Sequence, residues 1–200
     1  RGQESCGISV TDGNKIDYHK DMGLVSQVFD DETLEELKGN IGIGHVRYST
    51  TGESHTNNAQ PLVVEYKNGG IALAHNGNLV NADKLRAELE EDGVVFQTSS
   101  DSEVILNLVA RYHKLGIDHS VNKVMEQIKG AFAVAVMTEN KLIGARDAHG
   151  LRPLCLGKLK GGYVLASESC VFDTIGAEFV RDVEPGEVVV IEGDDIKSYD

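Results

Sequence analysis

The order in which the hydrophobic period changes along the chain limits its fold more than any other feature. Residues 6–11 and 15–19 read as strands around the turn Asp12-Gly13-Asn14, and 40–50 alternates Ile41, Ile43 and His45 with glycines. Residues 63–66 and 71–75 flank Lys67-Asn68-Gly69-Gly70, a hairpin signal because Asn-Gly and Gly-Gly tolerate the positive φ of a tight turn. Two helices then follow with no strand between them. The first, 82–92, sets Leu85 and Leu89 on one face and closes at Gly93. The second opens at the capping-box spacing of Ser100 and Glu103, lines up Ile105, Leu108, Val109 and Tyr112, and ends near Gly116. From Gly130 onward strands recur at 131–137, 141–146, 154–158, 163–167, 179–183 and 187–192, with 188–195 reading as an edge strand and turn. Parallel βαβ folds need a helix after each strand, and a consecutive helix pair between runs of strands argues against them. The pattern predicts an α+β fold: two largely antiparallel sheets with helices packed outside, plus a short helix over 30–38.

Composition narrows the class further. With 200 residues and 40% apolar content, the chain holds one well-cored domain, and no repeat or linker divides 1–200. A net charge of -13 argues against nucleic acid and anionic membranes as partners. The longest apolar run, 131–137, is far short of the roughly 20 residues that span a bilayer. Cys6, Cys155 and Cys170 form an odd set without a Cys-x-x-Cys pair, so neither a disulfide framework nor a zinc site is indicated, and the expected location is the cytoplasm. One of these thiols remains open as a nucleophile. The chain begins at Arg1 rather than Met, which reads as a processed or cut piece of something longer.

Three stretches are more polar than folding requires. In the first, His45 to Gly52, a buried-looking strand ends in Arg47 followed by hydroxyls; Arg47 is either a solvated rim residue or a fork of donors for a carboxylate. Next, at His75-Asn76-Gly77-Asn78, the Asn-Gly step is either a plain turn or a pair of donors, the Asn76 amide and the Gly77 N–H, converging as in an oxyanion hole. Finally, at Thr98 to Glu103, Ser100 and Glu103 read as a helix cap, and Asp101 falls in the first helical turn, where it could also hold an ammonium group. Together these residues supply what is needed to hold a free amino acid while its side-chain amide is attacked.

The ordered motifs Arg1-Gly2-Gln3-Glu4, Gly44-His45-Val46-Arg47-Tyr48, Ala74 to Leu79, Thr98 to Glu103 and Gly150-Leu151-Arg152-Pro153-Leu154 resemble the glutaminase domains of glutamine phosphoribosylpyrophosphate amidotransferases, across essentially the whole chain. The related glucosamine-6-phosphate synthase glutaminases share the His-Val-Arg and His-Asn-Gly elements, but read Ile-Ile-Glu-Asn where this chain has Asn78-Leu79-Val80-Asn81. The resemblance implies an N-terminal-nucleophile hydrolase, a four-layer αββα sandwich here lacking its first strand. In such a domain a cysteine upstream of Arg1 attacks the glutamine amide, and ammonia passes to a phosphoribosyltransferase domain to begin purine synthesis.

It further implies that Arg47 binds the α-carboxylate, Asp101 the α-ammonium, and Asn76 with Gly77 the oxyanion. Thr50 and Gly2 line the pocket, and Arg1 braces the nucleophile's end of the site. Cys6 is expected to be a small buried strand residue, and Cys155 and Cys170 core thiols. No metal is implied for 1–200; Mg2+ and an iron-sulfur cluster belong with the transferase domain, and the full-length protein is expected to be a homo-oligomer. Without the upstream cysteine the chain as it stands is expected to be inactive. The competing readings are a glutamine-binding or folding module without catalysis and a Cys6-dependent thiol hydrolase.

Overall fold

The computed structural model describes residues 4–48 and 55–199. In chain order the elements are β1 (Ser5–Thr11), β2 (Ile16–Met22), α1 (Val25–Val28), α2 (Asp31–Glu36), β3 (Ile41–Arg47), β4 (Leu62–Tyr66), β5 (Gly69–Leu79), α3 (Ala82–Glu91), α4 (Asp101–Arg111), α5 (Ile117–Met125), β6 (Gly130–Met137), β7 (Leu142–Arg146), β8 (Cys155–Leu159), β9 (Gly162–Ala166), α6 (Cys170–Ile175), β10 (Glu178–Asp182), β11 (Val188–Glu192) and β12 (Asp195–Tyr199). All pairings are antiparallel. One sheet has six strands in the order β12-β11-β7-β6-β5-β4, and the layer opposite it is built from two three-stranded sheets, β2-β1-β3 and β10-β8-β9.

The period of two sorts the large sheet into two faces. Ile71, Leu73, Val134, Val136, Ile143, Ala145, Val188 and Val190 pack with Leu85, Leu89, Val104, Ile105, Leu108, Val121 and Val124 of α3, α4 and α5. The opposite face is rich in alanine along β5 and β6. Ala72, Ala74 and Met137 meet Ile16 and Ile43 of the first three-stranded sheet, and Ala133, Val189 and Ile191 meet Leu154 and Leu156 of the second. Alanines on one side let the strand layers approach closely, and larger side chains on the other fill the space beneath helices. On the far side, Phe172 of α6 packs with Cys155 and Ala166, and a side chain at Gly157 would run into the Phe172 ring. Helices therefore lie outside both strand layers.

Two sequence expectations change here. The strand over 188–192 is internal, paired with β7 on one side and β12 on the other, rather than an edge. Its unbroken apolar run Val188-Val189-Val190-Ile191, buried on both faces, is what a central strand requires. Cys170 is exposed at the start of α6 rather than a core thiol, whereas Cys6 and Cys155 are buried. A six-residue helix covers its sheet with one side only, and Phe172 takes that side.

Candidate active site

On β3 the positions facing the large sheet are Ile41, Ile43, His45 and Arg47, since Ile43 packs with Ala72, Ala74 and Met137. The last of these, Arg47, is therefore directed inward and is 5% exposed, so the solvated-rim reading fails. Its Nη1 lies 3.0 Å from Oε1 of Glu4, just before β1, whose Ser5 pairs with Arg47. That ion pair fixes the orientation of the guanidinium.

Beneath β3 runs β5, which carries Asn76 on the face of Ala72 and Ala74 and His75 on the helix face. Gly77 has φ +146, and a Cβ there would collide with the carbonyl of Ala131; Gly130, φ +147, meets the Asn78 carbonyl in the same way. Cross-strand approach between β5 and β6 thus already demands glycine at 77, whether or not a substrate approaches it. From the helix side, Ser100 caps α4 by accepting from the Ser102 N–H, and Asp101 in the first turn reaches back to β5. Asp101 Oδ2 accepts the Leu79 N–H at 2.9 Å, and Oδ1 lies 3.4 Å from His75 Nδ1. Burial raises the Asp101 pKa, but His75 and the N–H groups of Leu79 and Ser102 outweigh it and hold the carboxyl below its ordinary value. Asp101 from the helix layer is thereby tied to β5 at His75 and Leu79, a bracket around Asn76-Gly77, while Arg47 faces the same sheet from the strand layer.

Gln60 and Arg86, to which the sequence reading gives no role, and Glu103, in a role other than the cap, hold this arrangement. Beyond the start of β4, the Gln60 side chain stands in as β5's partner: Oε1 accepts the His75 N–H at 2.6 Å and Nε2 donates to Ser102 Oγ at 3.1 Å. Glu103 does not close a capping box; its carboxylate accepts the N–H groups of Gln97 and Thr98 at 2.8 and 2.7 Å. Arg86 donates to the carbonyls of Thr98 and Ser100 and lies over the Phe96 ring. The loop that delivers Asp101 is thus fastened at both ends. Arg1, Gly2 and Thr50, also expected at the site, lie outside the described residues.

Residues 45–174 match the family described as glutamine amidotransferase domain. The chain belongs to the glutamine amidotransferase domain family. This amidotransferase domain is 47% identical over 199 residues to the amidophosphoribosyltransferase of Bacillus subtilis, covering 99% of this chain and 42% of that protein. It is 50% identical over 191 residues to the amidophosphoribosyltransferase of Methanothermobacter thermautotrophicus, covering 94% of this chain and 40% of the relative. The chain thus spans about two fifths of the length of these curated relatives. Among solved structures, the B. subtilis glutamine phosphoribosylpyrophosphate amidotransferase superposes with a TM-score of 0.93 at 46% identity, covering 99% of this chain and 43% of that one. A protein described as a glutamine aminotransferase class-II domain protein from Silicibacter pomeroyi, 14% identical with a TM-score of 0.67 over 98% of this chain and 90% of that one, shares the fold.

The cysteines of the amidotransferase domain lie away from this bracket. Cys6 pairs with Val46, on the outward face of β1 and β3, and its Sγ lies 3.7 Å from the Gly23 carbonyl. Burial, with Asp21 nearby, pushes its pKa up, the wrong direction for a nucleophile, so the Cys6-dependent hydrolase reading is set aside. Cys155 Sγ lies 3.2 Å from the Ala166 carbonyl beneath α6. Among the described residues no group of three or more His, Cys, Asp or Glu could hold a metal ion, and no helix is long and apolar enough to cross a membrane.

His45 gives the amidotransferase domain a measurable acid sensitivity. Burial, and then the neighbouring His75 and Arg47, push its pKa down to about 4 from 6.5. Between these values the unfolded chain binds a proton that the folded chain does not, so stability is intact above pH 6.5 and falls as pH drops toward 4. The expected loss is on the order of 3 kcal/mol. Carboxylates such as Glu187, held down at about 2 from 4.5, lose their contribution mainly below pH 4.5. Urea unfolding at pH 7 and 4.5 should show the loss, and His45→Gln should flatten it; an identical pH slope in the variant would refute the assignment.

Proposed function

We propose that this domain hydrolyses the side-chain amide of L-glutamine and supplies ammonia to a phosphoribosyltransferase domain, as the glutaminase half of an amidophosphoribosyltransferase in purine synthesis. The observation that carries the reading is that Asp101 is anchored on β5 at His75 and Leu79, either side of Asn76-Gly77, with Arg47 buried on the face of β3 that meets the same sheet. Arg47 takes the α-carboxylate, Asp101 the α-ammonium, and the Asn76 amide with the Gly77 N–H receives negative charge on the amide oxygen as a cysteine from the segment before Arg1 adds to the carbon. The C–N bond then breaks, ammonia leaves with the proton taken from the thiol, and water cleaves the thioester to glutamate. The similarity to curated amidophosphoribosyltransferases across nearly all of this chain supports the choice of acceptor.

The test is ammonia release from L-glutamine by the full-length protein, with pyrophosphate release when phosphoribosylpyrophosphate is added. Both are expected. Arg47→Gln should raise KM for glutamine at least about tenfold while leaving pyrophosphate release driven by free ammonia intact. Absence of glutamine-dependent ammonia would overturn the reading; ammonia without pyrophosphate release would retain the glutaminase and discard the acceptor.

A further inference from the structure

His75 stands behind the bracket, on the helix face of β5, with a side chain 0% exposed. Its Nδ1 lies 3.4 Å from Asp101 Oδ1 and 3.2 Å from Ser102 Oγ, whereas Nε2 is buried without a hydrogen-bond partner among the described residues. These surroundings select the tautomer. A proton on Nε2 would be an orphaned buried donor and would turn the bare Nδ1 toward a carboxylate oxygen; a proton on Nδ1 has the Ser102 hydroxyl at hydrogen-bond distance, faces the Asp101 carboxylate at ion-pair distance, and leaves a single unused lone pair. The ring therefore donates from Nδ1.

The ring is also held in place. The His75 N–H is taken by Gln60, and Phe132 packs edge-on with ring centroids 6.4 Å apart. With Leu79 donating to Oδ2, both oxygens of Asp101 are addressed from β5, by residues on either side of Asn76-Gly77. The strand that carries the donor pair thus also sets where the carboxylate stands.

We infer that His75 is a positioning residue for substrate selection: through its Nδ1–H it orients Asp101 to receive the α-ammonium of the bound amino acid, and so favours amides that carry a free α-amine. The inference rests on the role given to Asp101 above. Its test compares kcat/KM for ammonia release from L-glutamine with that from glutaramate, which lacks the α-amine, in the full-length protein. His75→Phe keeps a ring but no donor and should lower kcat/KM for glutamine about tenfold, leaving glutaramate unchanged. His75→Asn, whose amide nitrogen falls near the Nδ1 position, should restore glutamine; His75→Gln, whose amide falls near Nε2, should not.

Equal losses on both substrates would mark a merely structural role, and no loss on either would also overturn the inference. Should His75→Phe fail to fold, the Asn and Gln variants decide it, equal values for glutamine overturning the role. Asp101→Asn separates the two levels. If it spares glutamine, the ammonium-anchor reading falls and the inference with it; if it lowers glutamine selectively while His75→Phe has no effect, only the role of His75 is lost.

Discussion

In the full-length protein, Asn76→Ala is expected to lower kcat for ammonia release from glutamine about 100- to 1,000-fold with little change in KM, the loss typical of removing one oxyanion donor. The split follows from where the group acts. Arg47 and Asp101 address the ends of the amino acid that do not react, so binding survives, whereas the Asn76 amide is strengthened only when charge gathers on the amide oxygen. Asn76 is a better probe than its neighbour. Gly77→Ala would place a methyl group against the Ala131 carbonyl at φ +146, so any lost activity would be confounded by a displaced strand. Asn76 is partly exposed at a position where β5 faces Ala133 of β6, and its truncation should shift the thermal midpoint by no more than about 2 °C. An unchanged kcat with intact folding would remove Asn76 from the site.

The periodic parts of the chain were readable because their determinants are local. The Tyr66 to Gly69 hairpin follows from Asn68-Gly69, and α3 and α4 from apolar spacing and a stop at Gly93. So was the set of polar residues that crowd strand ends without serving a core. What escaped depends on contacts between distant positions. Gln60 matters because it meets His75 and Ser102, 15 and 42 positions away, and nothing around Gln60 signals that. A glycine was expected to matter at 77, but the cause, the Ala131 carbonyl across the ladder, appears only once β5 and β6 are in register. The helix over 117–125 had a visible signal, Ile117, Val121, Val124 and Met125 on one face, weakened by β-branched residues of modest helix propensity. The apolar run 188–191 is legible as a strand, but the edge reading overlooks its lack of alternation, which goes with burial on both faces.

The largest stability effect is expected at Asp147, a residue outside the bracket altogether. Its side chain is fully buried and forms no ion pair among the described residues; instead it accepts four backbone N–H groups, from Phe132 at 3.3 Å, His149 at 3.0 Å, Leu151 at 3.1 Å and Arg152 at 3.0 Å. Converging peptide dipoles can hold a carboxylate in this way. Burial raises its pKa, but the N–H groups of Arg152, Leu151, His149 and Phe132 prevail and keep it below the ordinary value. Arg146 serves the same loop with the opposite polarity, donating to the carbonyls of Arg152, Val183 and Gly150 at 2.8, 2.6 and 2.8 Å. Adjacent residues thus satisfy N–H groups and carbonyls of the turn over 147–152 and tie it to Phe132 and Val183. Asp147→Ala would strand several buried donors at once, and at about 1–3 kcal/mol for each one left dry, the expected cost is about 4 kcal/mol after partial rescue by water. Asp147→Asn keeps the shape but sets an NH2 group against N–H donors, so it should still cost about 2 kcal/mol. Because the folded pKa lies below 3.8, the contribution is present above that pH and is lost as pH falls through the folded value. Urea unfolding of both variants at pH 7 measures the costs, and losses under about 1 kcal/mol would contradict the account. The damage should reach the site as well. Phe132, which loses a partner, is paired with Gly77, so amide exchange at residues 76–79 and 130–133 should quicken in either variant while the β1–β2 hairpin stays protected.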